Sequence, residues 1–237
     1  VGGGTPTLTQ GSPSNVYAVF NSLSKNDAGT IVFSNGNLTV LHSGTDSRYA
    51  SYSTIGASSG KWYMEIKIDA SSQPDVVVGV GSNVEEINRL GTYYGTSTDP
   101  TSVGYFSGDG DKYINGNATA YGSAYGTGDI ISIAMDLDNS KLYFRKNNDA
   151  WNNSGDPTSG STGTGAIALT ADLTYFMGGS HATTTTRTSA YSGNFGEGFF
   201  GTTAAGTQAD DNGQGLFAYD VPAGYYALNT KNLEAYG

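Results

Sequence analysis

The sequence predicts an all-β fold, an antiparallel jelly-roll-like β-sandwich, and three observations carry that expectation. Composition is the first: 35 glycines, with abundant Ser, Thr and Asn, suit short strands and frequent turns better than helices. Alternation is the second. From Lys61 to Asp69, Trp62, Met64, Ile66 and Ile68 face one side, while Tyr63, Glu65 and Lys67 face the other. The third is the stretch Gly126 to Asn147. There Ile131, Ile133 and Met135, then Leu142 and Phe144, mark two strands around a tight Asp138-Asn139-Ser140 turn. With 237 residues, one large all-β domain is enough. Residues 1–11 read as a linker or the tail of a longer chain, and 12–237 as one domain with a polar insertion near 201–215.

In chain order, Ser12 to Asn21 is a turn leading into an extended segment. Thr30 to Leu41 holds two apolar runs about Asn35-Gly36, a strong short-range hairpin signal. Val76 to Val80 reads as a strand buried on both faces, and Asn83 to Leu90 as one short helical turn. Val103 to Phe106, Lys112 to Ile114 and Tyr121 to Tyr125 are glycine-broken segments bearing tyrosines. Trp151 to Gly165 is a loop, followed by strands at Ala166 to Thr170 and Thr174 to Gly178. Thr183 to Thr188 fits an edge strand or a solvated loop, Ala190 to Gly196 a strand end, and Gly224 to Asn229 a final short strand. No internal repeat argues for a solenoid or propeller.

Charge and residue usage exclude several functions. A formal net charge of −10 opposes phosphate-backbone binding, which needs clustered Lys and Arg, so no nucleic-acid partner is expected. Without cysteine, neither a disulfide framework nor a thiolate metal site is possible. No apolar run reaches the roughly 18 residues of a spanning helix, so membrane insertion is not expected.

From Gly60 to Asn147, a series of glycine-led strands and turns together resembles SPRY domains, a concanavalin-like sandwich family. Gly60 to Ile68 looks like the SPRY strand in which a glycine leads into aromatics and a central Glu. Val77-Val78-Gly79-Val80-Gly81, Gly104-Tyr105, Gly128-Asp129-Ile130-Ile131, Asp136-Leu137-Asp138 and Leu142 to Asn147 resemble later SPRY segments, in the family's order. The flanks resemble modules of tailed-phage virion proteins, fibre-like or head-associated. They are Ser12 to Asn15, Asn35 to Leu38, Asn194 to Gly196 and Pro222 to Leu233. The resemblance implies a virion location and a ligand surface built from loops at one end of the sandwich.

No motif supplies catalysis or a cofactor. Asp109-Gly110-Asp111 and Asp136-Leu137-Asp138 lack the spaced ligands of a Ca²⁺ loop, and the second pair reads as a solvated hairpin end. Glu65, Glu197, Asp129 and Asp136 are available for glycoside hydrolysis, but nothing in the sequence pairs them across a cleft. His42 and His181 lack neighbours at ligand spacing. Gly79-Val80-Gly81 lacks the third glycine and the helix of a dinucleotide fingerprint. Three Asn-x-Ser/Thr matches, at Asn37, Asn117 and Asn152, fit chance in so Asn- and Thr-rich a chain.

The candidate ligand-binding residues are therefore Tyr93, Tyr94, Tyr105, Tyr121, Tyr125 and Trp151, aromatics beside glycines in turn-like segments. Their bland alternative is capping the ends of the core. The expected function is a non-enzymatic virion structural protein, a fibre or spike module binding a host surface glycan or protein. Its expected partners are other virion proteins and copies of itself. The alternatives are a head decoration protein and a polysaccharide-degrading domain.

Overall fold

The computed structural model describes residues 15–23, 30–44, 49–72, 75–82, 94–95, 100–182 and 187–237. The helical turn expected at Asn83 to Leu90 lies outside them, as does most of Thr183 to Thr188. The first half of the chain forms β1 (Thr30–Ser34), β2 (Thr39–Gly44), β3 (Tyr49–Tyr52), β4 (Lys61–Ser71), β5 (Val76–Gly81), β6 (Ser102–Phe106), β7 (Asp111–Ile114) and β8 (Asn117–Ala120). The second half adds β9 (Ile130–Asp136), β10 (Lys141–Lys146), β11 (Ile167–Ala168), β12 (Phe176–His181), β13 (Arg187–Asn194), β14 (Phe199–Phe200), β15 (Thr203–Ala204) and β16 (Tyr226–Ala227). Helix α1 (Thr230–Tyr236) follows.

These strands build two main sheets. The first runs β1-β2-β13-β4-β9-β10-β11, with β16 also beside β4, and the second runs β3-β12-β5-β6-β7-β8. All pairings are antiparallel except β16 with β4. Alternation dictates the core between the sheets. Trp62, Met64, Ile66, Ile68, Ile131, Ile133, Met135, Leu142 and Phe144 from the first meet Val76, Val78, Val80, Val103, Tyr105 and Met177 from the second. The expected fold class is thus observed. The Asn35-Gly36 hairpin forms with Asn35, Gly36 and Asn37 all at positive φ, the conformation that favours Asn and Gly.

Several features go beyond the sequence reading. The outward face of β4 is not solvated: Tyr63 and Glu65 are fully buried, because the C-terminal segment lies over it as a third layer. The register places Tyr63, Ala134 and Tyr143 in one row, and the small Ala134 leaves room between the tyrosines for Phe217 and Tyr225 to pack down. β13 is no strand end but an eight-residue strand between β2 and β4. β8 went unforeseen because Asn117, Ala118, Thr119 and Ala120 show little strand propensity; its register with β7 holds it. Helix α1 was also unforeseen, although Asn229 caps it through Oδ1, which accepts from Asn232 N at 2.8 Å.

The second sheet has its own device. Gly104, Gly79 and Gly178 are adjacent in register and form a trough across three strands. The Tyr94 ring lies in it, so close that a Cβ on Gly79 would sit 2.7 Å from the ring. Its hydroxyl donates to the Ser51 carbonyl at 3.2 Å.

Candidate functional site

The densest polar cluster lies under the third layer. Register aligns Asn194, Glu65, Ser132 and Arg145 in one row across β13, β4, β9 and β10. All four point outward because they alternate with core residues. Glu65 accepts from Ala218 N at 2.9 Å, Tyr219 N at 2.9 Å, the Tyr63 hydroxyl at 3.0 Å and Asn194 Nδ2 at 3.3 Å. Burial pushes its carboxyl up to about 7, although these donors pull the other way. The carboxyl group therefore fastens the C-terminal segment to the sheet.

Arg145 completes the row. Its Nη2 donates to the Asp220 carbonyl at 2.7 Å and to the Tyr63 hydroxyl at 3.4 Å, and Nε donates to Ser132 Oγ at 3.4 Å. The guanidinium carbon lies 4.8 Å from the Trp151 ring and 5.7 Å from the Tyr219 ring, within cation–π range of both. Both rings are half-exposed.

A second cluster joins residues far apart in sequence. His42 and His181 stack with ring centroids 5.5 Å apart, and Ser189 and Asp75 adjoin His181. Ser, His and Asp invite a nucleophilic reading, which the geometry rejects. Ser189 Oγ, at 2.5 Å, and Asp75 Oδ1, at 3.7 Å, both face Nδ1, whereas a triad uses opposite ring nitrogens. Nε2 of His181 is buried and without a hydrogen-bond partner. Burial holds His42 down to about 3, aided by the neighbouring His181, and His181 down to about 4, aided by Arg187. Both rings are neutral at pH 7, so the contact with Asp75 is not an ion pair. His42 also bonds the Tyr191 hydroxyl through Nε2 at 3.1 Å, which makes the pair part of the packing between sheets.

The other carboxylates are engaged locally. Asp136 is fully buried, which corrects its reading as a solvated group. Lys61 Nζ approaches it at 3.0 Å, and Asn139 donates through N and Nδ2. Asp138 accepts from Gly60 N at 2.7 Å, and Asp109 accepts from Asp111 N at 2.9 Å. Glu197 is buried, accepts from Phe195 N at 3.1 Å and is pushed up to about 8 by its burial. Among the described residues, no three His, Asp or Glu side chains converge as metal ligands.

The structure disperses the sequence-predicted aromatic residues. Tyr93 lies outside the described residues. Tyr94, Tyr105, Tyr121 and Tyr125 are all buried in the hydrophobic clusters, as in the alternative that they cap the core. Their hydroxyls are used internally. Tyr125 donates to the Tyr105 carbonyl at 2.6 Å, Tyr121 accepts from Phe144 N at 3.3 Å, and Tyr105 donates to the Ser123 carbonyl. Glycines beside them mark close packing rather than open loops. Among the described candidates, only Trp151 keeps a half-exposed ring, edge-on to Tyr143 at 6.4 Å. The sequence reading missed its neighbours Arg145 and Tyr219. Outward tyrosines at both Tyr63 and Tyr143 were the available signal, since two bulky rings on one outward face call for a cover.

Residues 61–156 match the SPRY domain. The chain is 32% identical over 96 residues to human Ran-binding protein 9, covering 39% of this chain and 12% of that protein. It is 27% identical over 127 residues to the Drosophila melanogaster Ran-binding proteins 9/10 homolog, covering 50% of this chain and 13% of that protein. The chain thus spans only a small fraction of those relatives. The SPRY domain of human HERC1 superposes with a TM-score of 0.54 at 16% identity, over 73% of this chain and 96% of that one. The stonustoxin structure superposes with a TM-score of 0.53 at 13% identity, over 75% of this chain and 27% of that one. Identities this low show a shared fold.

Proposed function

We propose that this chain, which carries a SPRY domain in a concanavalin-like β-sandwich, is a non-enzymatic binding module displayed on a phage particle to contact a host surface protein or glycan. SPRY domains are protein-interaction modules. One observation carries the non-enzymatic part: Glu65, Glu197, Asp136, His42 and His181 are all buried, Glu65 under four donors of the protein's own, while Trp151 and Tyr219 stay half-exposed. Display on a virion is supported by the flanking segments, such as Pro222 to Leu233, that resemble phage virion modules.

The test presents immobilised full chain to purified surface protein and surface polysaccharide of a bacterial host, with intact particles imaged after labelling of the chain. Binding to either component without loss of polysaccharide chain length is the expected result. Shortened polysaccharide would overturn the non-enzymatic reading. Binding to capsids and to nothing on the host would move the module to head decoration.

A further inference from the structure

The surface around Trp151 and Tyr219 carries an inference that rests on the binding-module reading and deepens it. We infer that this surface is a docking subsite for a basic, extended segment of a partner protein.

Three observations converge. Arg145 is 7% exposed, and its Nε and Nη2 are committed inside the protein, yet Nη1 makes no hydrogen bond among the described residues and is not fully enclosed. Its Nη1 donors are thus open to solvent and uncommitted, and a partner's main-chain carbonyl can replace water there without adding charge. The two rings beside it are half-exposed, so each offers apolar area to a ligand. The surroundings are acidic. Asp149 and Asp220 are exposed, and Glu65, Asp129 and Asp149 together hold the Tyr219 hydroxyl up, after burial, against the single opposing charge of Arg145. Lys146 pairs with Asp129 at 3.3 Å, which leaves the exposed Asp149 and Asp220 to meet a partner.

An anionic ligand would satisfy Nη1 but face these carboxylates and a chain of net charge −10. A peptide bearing Lys or Arg satisfies both, with its carbonyl on Nη1 and its cation against Asp149 and the ring faces.

The probe is a blocked lysine–glycine repeat peptide, with its glutamate–glycine counterpart, titrated into the full chain by calorimetry. Tryptophan emission is a second readout, because Trp62 is buried and Trp151 is the half-exposed tryptophan. The lysine peptide is expected to bind with salt-sensitive affinity, and the glutamate peptide not to bind. Trp151→Ala should weaken binding at least about tenfold. Asp149→Asn should weaken it several-fold, while Asp172→Asn, which removes an exposed carboxylate elsewhere, leaves it unchanged. Equal losses at Asp149 and Asp172 would reduce the effect to overall charge and overturn the subsite. So would unchanged binding by a folded Trp151→Ala variant, or no binding of the lysine peptide. If Trp151→Ala keeps full host-surface binding, the subsite falls and the module reading stands; if the wild-type chain binds no host component, the module reading itself falls.

Discussion

Glu197 and the two histidines make stability respond to pH in opposite directions, and replacing Glu197 by Gln separates them. Folding raises Glu197 from 4.5 to about 8 and Glu65 from 4.5 to about 7, and lowers His42 and His181 from 6.5 to about 3 and about 4. A raised carboxyl stabilises fully below the unfolded value and loses that contribution as pH climbs through the folded one. A lowered imidazole stabilises fully above 6.5 and loses its contribution as pH falls toward the folded value. Between 4.5 and 6.5 the folded chain carries two protons on the carboxyls and the unfolded chain two on the histidines, so these groups leave stability level. Above 6.5 only the folded chain still holds protons, until Glu65 and then Glu197 ionise. At about 1.4 kcal/mol per unit for each group, stability at pH 8 falls roughly 3 kcal/mol below the plateau, and about 2 kcal/mol of that belongs to Glu197. Urea unfolding followed by tryptophan emission across this range measures the profile. Glu197→Gln should flatten the alkaline fall and tilt the former plateau upward with pH. The reasoning fails if wild type is more stable at pH 8 than at pH 6, or if the two profiles superimpose.

Other consequences are equally direct. Gly79→Ala should cost about 3 kcal/mol, because its Cβ would meet the Val103 carbonyl at 2.3 Å and the Tyr94 ring at 2.7 Å; Gly126→Ala, with nothing within 4 Å, is the control in the same urea experiment. Ala218 N and Tyr219 N bond different oxygens of Glu65, so Glu65→Gln turns its amide donor toward one of them, and hydrogen exchange of that one should speed up by about tenfold or more while the amides of β9 and β10 stay protected. Asn229→Ala removes the cap of α1 and should lower the urea midpoint by an amount equivalent to about 1 kcal/mol.

What could be read in advance depended on how local the cause was. The β9–β10 hairpin and the inward face of β4 were legible because Ile131, Ile133, Met135 and Trp62 to Ile68 write their period of two directly into the chain. The fate of the opposite face was not, since the cover over Tyr63 and Glu65 comes from Phe217 to Ala227, far along the sequence. The aromatic residues misled for a related reason. Tyrosine beside glycine fits both an open loop and a ring pressed onto bare backbone, and the trough under Tyr94 depends on three glycines from three strands. Trp151 was found from sequence, but its setting was not: Arg145 reaches it from a neighbouring strand, and Tyr219 arrives with the third layer.

The place of β16 has a consequence for how the molecule assembles. Beyond Asn194, where β13 leaves the edge of β4, the slot beside Trp62 and Tyr63 is filled in parallel by Tyr226 and Ala227. A strand near the middle of the sheet therefore waits for residues far along the sequence before its last backbone partners arrive. Such late, long-range closure makes for slow folding, and a ribosome-bound fragment ending before β16 would present an unpaired central edge to its neighbours. Synthesis of this protein should depend on chaperone shielding of that edge more than its many local hairpins would imply.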